Sequence, residues 1–190
     1  RFTGVTAHPM SAKGVLVNPL LMATDFISHF DRRQTPECTE GREGYIWFNG
    51  IQAGQNEAIL KANIRDFDKD GFAARKQHIA DVAAQIAAQH PTANVEYRIE
   101  DTYSNISNAI GEDRRAIDLM FEAMESLGIT PKPIPMRGGT DGAALSAKGL
   151  LTPNFFTGAH NFHSKFEFLP LSSFEASYHT ALQLCLLAAR

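Results

Sequence analysis

The chain lacks the features that mark several protein classes. Its only cysteines, Cys38 and Cys185, lie far apart and outside any metal-type spacing such as C-x-x-C. That excludes a disulfide framework, and both thiols read as free, which fits a reducing, cytoplasmic setting. Positive charge is not in excess, since 18 Lys and Arg stand against 21 Asp and Glu. Binding to a phosphate backbone or an anionic membrane surface needs clustered cations, so nucleic acid and membrane are excluded as main partners. No apolar run approaches the roughly 20 residues that span a bilayer. The nucleophile elbow G-x-S-x-G, the phosphate loop G-x-x-x-x-G-K-[ST] and the zinc helix H-E-x-x-H are all missing. What is present is 190 residues, 44% hydrophobic, enough for one ordinary domain or two small ones. The opening Arg1-Phe2-Thr3-Gly4-Val5 already reads as a strand without initiator Met or polar lead-in, as in a piece of something longer.

Periodicity organises the first hundred residues. A strand over 2–7 leads through a loop to an apolar-periodic helix holding Leu16, Leu20, Ala23, Ile27 and Phe30. Asn18 suits a cap and Pro19 the first turn, so the regular helix starts there. Strands follow over 44–51 and 58–67, joined through 50–55. In the second, Leu60, Ala62 and Ile64 alternate with Lys61, Asn63 and Arg65, the pattern of a half-buried sheet. A helix over 68–89 carries a stripe of Phe72, Ile79, Val82, Ala83 and Ile86. Val95, Tyr97 and Ile99 then alternate with charged residues as a last strand. The order β-α-β-β-α-β predicts a ferredoxin-like unit, with a four-stranded antiparallel sheet and both helices on one face.

The second half is less self-sufficient. It predicts a helix over 113–127, a short strand over 133–136, a glycine-rich turn over 137–142, a short helix reaching Lys148 and a buried strand over 154–157. A last helix begins at Ser172, with Glu175 completing a capping box, and directs Phe174, Tyr178, Ala181, Leu182 and Cys185 at a core. Two short strands cannot cover these faces, so this half is expected to be part of a larger α/β domain. The polar stretch 103–108 is a candidate hinge.

Several residues carry two readings each. The turn Arg137-Gly138-Gly139-Thr140-Asp141-Gly142 can cradle an anion beside a guanidinium fork, or be a tight strand-to-helix turn with a surface arginine. His163 and Glu167 can form a metal ligand with a neighbouring oxygen donor, or be plain loop residues. His8, just before Pro9, can donate a hydrogen bond to a developing oxyanion, or merely cap a loop. Arg65 lies on the polar face of its strand, where solvent or a surface ion pair is the alternative. His160 reads as a loop or pocket-lining residue. His29, His78, His90 and His179 fall on or beside helices and read as structural.

Taken in order, His8-Pro9-Met10-Ser11-Ala12-Lys13, Ile64-Arg65-Asp66-Phe67-Asp68, Glu100-Asp101-Thr102-Tyr103-Ser104-Asn105, Arg137 to Ala143 and Phe156 to Phe168 resemble the peptidase T family. These are the tripeptide aminopeptidases among the co-catalytic zinc peptidases, which also include carboxypeptidases and aminoacylases. The resemblance implies a small lid or dimerisation domain over 1–105 and the C-terminal part of a zinc-peptidase catalytic domain over 106–190. It implies a homodimer acting on short peptides, chiefly tripeptides, with two zinc ions per complete active site. His163 matches the last zinc ligand, with Glu167 the acid nearby. His8 matches the lid histidine that steadies the tetrahedral intermediate. Arg137 matches the arginine that holds the peptide's terminal carboxylate, and Asn105 and Arg65 match further pocket or interface residues. Met10, Ala159 and Phe166 depart from the family pattern. The other metal ligands and the general base are expected upstream of Arg1, which implies an inactive fragment by itself. A related carboxypeptidase or aminoacylase, and a non-catalytic lid module, are the competing expectations.

Overall fold

Proline at position 19 has no backbone N–H to leave unsatisfied, and the first regular helix begins there. In the computed structural model, which describes residues 1–190, helix α1 spans Pro19–Ser28. The Asn18 side chain accepts from the Leu20 N–H at 3.0 Å and caps it. The chain divides into two compact units, 1–100 with 135–137, and 101–134 with 138–190.

In the first unit, strands β1 (Phe2–Thr3), β2 (Tyr45–Ala53), β3 (Glu57–Arg65) and β4 (Asn94–Val95) form one sheet in the order β2-β3-β1-β4. Every neighbouring pair is antiparallel. Helix α2, Lys69–Gln89, starts at Asp68, whose carboxylate accepts from the Gly71 N–H at 2.6 Å. The core joins Phe2 and Ala58 of the sheet to Met22, Ala23 and Phe26 of α1 and Ile79, Val82, Ala83 and Ile86 of α2. Both helices therefore cover one sheet face, and the ferredoxin-like arrangement predicted from the pattern is the one observed.

Some local expectations differ. The first strand ends at Thr3, with only an isolated bridge from Val5 to Val17 beyond it. The buried face of α1 is Met22, Ala23 and Phe26, while Leu16 and Leu20 are exposed. An apolar-rich helix has more than one plausible stripe, and the sheet selects the one it meets. Strand β2 runs on to Ala53, so Gly50 lies at a bulge within the strand and the turn is 54–56. β4 is two residues long, and Tyr97 is exposed rather than aligned with Val95 and Ile99. Of the four histidines read as structural, His29 shows such a role most directly. It links α1 to α2 through the Asp25 carbonyl at 2.8 Å and the Gln85 amide at 2.9 Å.

An ion pair anchors the turn between β3 and α2. Asp66 accepts from Arg75 Nε at 3.0 Å and from the Asp68 N–H at 2.9 Å, and Arg75 also reaches the Gln34 side-chain oxygen. Gly44 passes so close that an added Cβ would overlap the Asp66 carboxylate and lie 2.8 Å from Arg75 Nε. Only glycine fits there.

The second unit contains helices α3 (Ile106–Ile110), α4 (Arg115–Ser126), α5 (Asp141–Ala147) and α6 (Leu171–Ala188), with α4 packed on α6 and α3 on α5. The segments 133–136 and 154–157 do not form strands, because a strand needs a hydrogen-bonded neighbour and the chain offers them none. Phe155 and Phe156 are half-buried and pack edge to face. Helix α6 begins at Leu171 with Pro170 before it, so Ser172 and Glu175 fall inside the helix and the capping box does not form. Its expected core face is open: Phe174 is 53% exposed, and Tyr178, Leu182 and Cys185 are exposed too. Thr180 and Leu187 are the residues it buries. No helix is long and apolar enough to cross a membrane.

Candidate functional site

Three of the residues singled out in the sequence belong to the first unit. Tyr45 and Arg65 are directly opposed in the β2–β3 ladder, so their side chains leave the sheet on the same face. That face is opposite the one the helices cover. Arg137, which packs with this unit, lays its guanidinium over the Tyr45 ring, 4.8 Å from the centroid. Its Nη1 donates to Thr39 Oγ1 at 2.7 Å and its Nη2 to the Pro36 carbonyl at 3.2 Å. Arg137 thus lies over the Tyr45 ring, and Arg65 leaves the sheet on the same face as that ring. Neither a surface arginine nor a free-swinging one describes Arg137.

The loop that receives Arg137 is itself fixed. Two short 3-10 turns, Arg32–Gln34 and Pro36–Cys38, shape it. Asp31 caps the first, and the Arg33 guanidinium and backbone N–H, both donating to it, hold its carboxyl below the usual carboxylate range. Gln34 is held by Arg75, and the Thr39 hydroxyl donates to the Thr35 carbonyl at 2.8 Å.

His8 follows β1 and is exposed at the start of the 3-10 turn Pro9–Ser11. Its Nδ1 accepts from the Met10 N–H at 3.2 Å. With Nδ1 accepting, Nε2 is the ring nitrogen that can donate.

The remaining residues are in the second unit. Asn105 caps α3, its Oδ1 accepting from the Ser107 N–H at 2.9 Å and hydroxyl at 2.7 Å, so its amide nitrogen is what remains for a ligand. In the glycine turn, an added Cβ at Gly139 would overlap the Tyr103 phenol, which accounts for that glycine by close approach. Thr140 caps the short α5 and also accepts from Asn154 Nδ2 at 3.1 Å.

His163 stands in a loop closed by an antiparallel bridge between His160 and Phe168, whose rings stack at 5.1 Å. His160 is thus a structural closure of the loop. Asn161 and His163 both adopt left-handed backbone conformations, φ 55° and 65°, unusual for residues with side chains. Glu167 holds this shape by accepting from the His163 backbone N–H at 2.8 Å. The imidazole is exposed and fit to supply one metal ligand. It has no second donor set beside it, since His, Cys, Asp and Glu side chains nowhere gather in threes.

Sequence reasoning missed Tyr45 and Thr39. Tyr45 falls within the strand over 44–51 without standing out there, and Thr39 belongs to no motif. No local signal ties Tyr45 to so distant an arginine, or Thr39 to one 98 residues away.

A family model described as a peptidase dimerisation domain matches residues 1–94. A peptidase T-like protein of Rhizobium meliloti is 64% identical over 188 residues, 99% of this chain and 46% of its own length. The peptidase T of Aeromonas hydrophila is 40% identical over 184 residues, 97% of this chain and 45% of its own length. Among solved structures, the aminopeptidase PepT of Bacillus cereus superposes with a TM-score of 0.67 at 16% identity, over 100% of this chain and 50% of that one. A tripeptidase of Staphylococcus aureus gives the same score at 21% identity, over 96% and 48%. The two superpositions bear on the fold alone. The chain spans about half the length of the curated relatives it matches.

Proposed function

Because this chain belongs to the peptidase T family, we propose that the protein carrying it removes the N-terminal residue from short peptides, tripeptides above all, using zinc. The observation that carries this reading is the 64% identity to a peptidase T-like protein across 99% of the chain. The dimerisation-domain match over residues 1–94 supports a homodimer.

Arg137 binds the peptide's terminal carboxylate. Two of its five N–H groups are used on Thr39 and Pro36, which leaves three for a ligand. Arg65, across the ladder from Tyr45, adds positive charge to the same face. In the second unit, the Asn105 amide nitrogen is left as a neutral donor of its own. His163 contributes one zinc ligand, and Glu167 sets its backbone. A two-ion site needs about five ligands and a carboxylate base, so the remaining donors belong to the rest of the longer protein and these 190 residues do not catalyse alone. When bound, zinc would lower the pKa of a water so that its deprotonated form is available to attack a peptide carbonyl near neutral pH. The His8 Nε2–H then donates to the oxyanion that forms.

A substrate panel on the full-length protein tests the activity. Free-amine tripeptides should be turned over with kcat/KM at least ~100-fold above N-acylated amino acids, well within the discrimination available to a site that pairs its polar groups with the right substrate. Turnover confined to acylated substrates overturns the reading in favour of an aminoacylase-type enzyme. In the same protein His8→Ala should keep its zinc and lose about 10²–10³-fold in kcat, as for removal of one oxyanion donor. Loss of zinc from that variant would contradict a role on the oxyanion.

A further inference from the structure

Arg137 is held entirely by uncharged groups, a hydroxyl, a carbonyl and a phenol ring. An arginine restrained in this way is aimed without being neutralised, and its full charge stays available to an anion. A purely structural arginine in a half-buried place would more often meet a carboxylate. We propose that Thr39 is a positioning residue for peptide binding. It aims the Arg137 fork at the free α-carboxylate of a short peptide, with the Tyr45 ring as the platform on which the fork lies. This rests on the role given to Arg137 above.

The geometry explains why Thr39 in particular matters. The Tyr45 ring, 4.8 Å from the guanidinium carbon, attracts the cation to its face but gives its N–H groups no direction. The bond to Thr39 Oγ1 at 2.7 Å supplies that direction, and the longer Pro36 contact at 3.2 Å supports it. The hydroxyl's polarity is also set. Its proton goes to the Thr35 carbonyl, so its lone pairs face Arg137. The loop is in turn tied to the sheet by Gln34, Arg75 and the nearly buried Asp66 carboxylate. Tyr45 is anchored in the ladder and buried. A fork held from two sides presents the same N–H groups to each incoming carboxylate, and bidentate recognition depends on that.

The test compares a tripeptide with its C-terminal amide in the full-length protein. Arg137→Ala should erase the preference for the free acid. Thr39→Val should raise KM for the free acid by about tenfold, the scale of one charge-assisted hydrogen bond. Its kcat should stay within about twofold and its KM for the amide should not move. Thr39→Ser, which restores the hydroxyl, should restore KM. Thr39→Ala removes the hydroxyl without valine's bulk at a loop position, and it gives the same comparison if the valine variant does not fold. If Arg137→Ala loses the preference while Thr39→Val and Thr39→Ala keep it, the positioning role is overturned and the role of Arg137 stands. If Arg137→Ala keeps the preference, the reading of Arg137 falls and takes the positioning role with it.

Discussion

Alanine in place of His163 in the full-length protein is expected to lower bound zinc and peptide turnover together, with activity falling at least ~100-fold. Disturbing groups that merely orient metal ligands already costs 10–100-fold, and deleting a ligand removes a bond to the ion itself. The structure makes this a sharp test. His163 occurs in a left-handed backbone conformation, φ 65°, and its N–H is held by Glu167. Alanine keeps that N–H and so keeps the Glu167 bond. The imidazole is exposed, so its removal opens no cavity. A fall in zinc without loss of folded protein then reports ligation. Metal analysis of the purified variant beside circular dichroism reads both quantities, and unchanged zinc content would refute the ligand assignment.

Phe26→Ala should have the largest effect on stability. Phe26 is 6% exposed, and its ring meets Phe2, Phe30 and Phe48 at centroid distances of 5.5, 5.1 and 6.1 Å. It is the point at which β1, α1 and β2 touch. Truncating a buried phenylalanine costs about 3–5 kcal/mol, from forfeited transfer energy and the cavity left behind. Because the ring also pairs with three other aromatic rings, this site belongs in the upper part of that range. The chain has one tryptophan, Trp47 in β2, so denaturant unfolding followed by its fluorescence reports on the first unit specifically. The midpoint should fall with the slope unchanged. A midpoint unmoved in Phe26→Ala would mean that this ring cluster is not what holds the unit together.

How much of this was legible in the sequence depended on whether the controlling forces are local. Asn18-Pro19 and Asp68 act on neighbouring N–H groups, and both helix starts read correctly. The alternation of β3 and the stripe of α2 each encode a buried face, and together they yielded the antiparallel sheet with its helices. Failures came where a partner decides. The 133–136 and 154–157 segments have strand composition but no neighbour to pair with. Helix α6 shows an apolar face in sequence, yet periodicity says only which residues would share a cover, and most of that face is uncovered. At the candidate site, Arg65 and Arg137 could be singled out by residue type and motif. Their placement on the Tyr45 face depends on a strand register and on hydrogen bonds spanning 98 to 101 residues, which no local pattern records.

The uncovered ridge of α6, from Leu171 through Phe174, Tyr178 and Leu182 to Leu186, makes the two units unequal as materials. Residues 1–100 carry a finished interior and suit transplantation, crystallisation or use as a stand-alone binding scaffold. The rest, produced alone, would present an oily seam to solvent and behave as a sticky colloid. Anyone dissecting this protein should expect good yields from the first piece and inclusion bodies from the second.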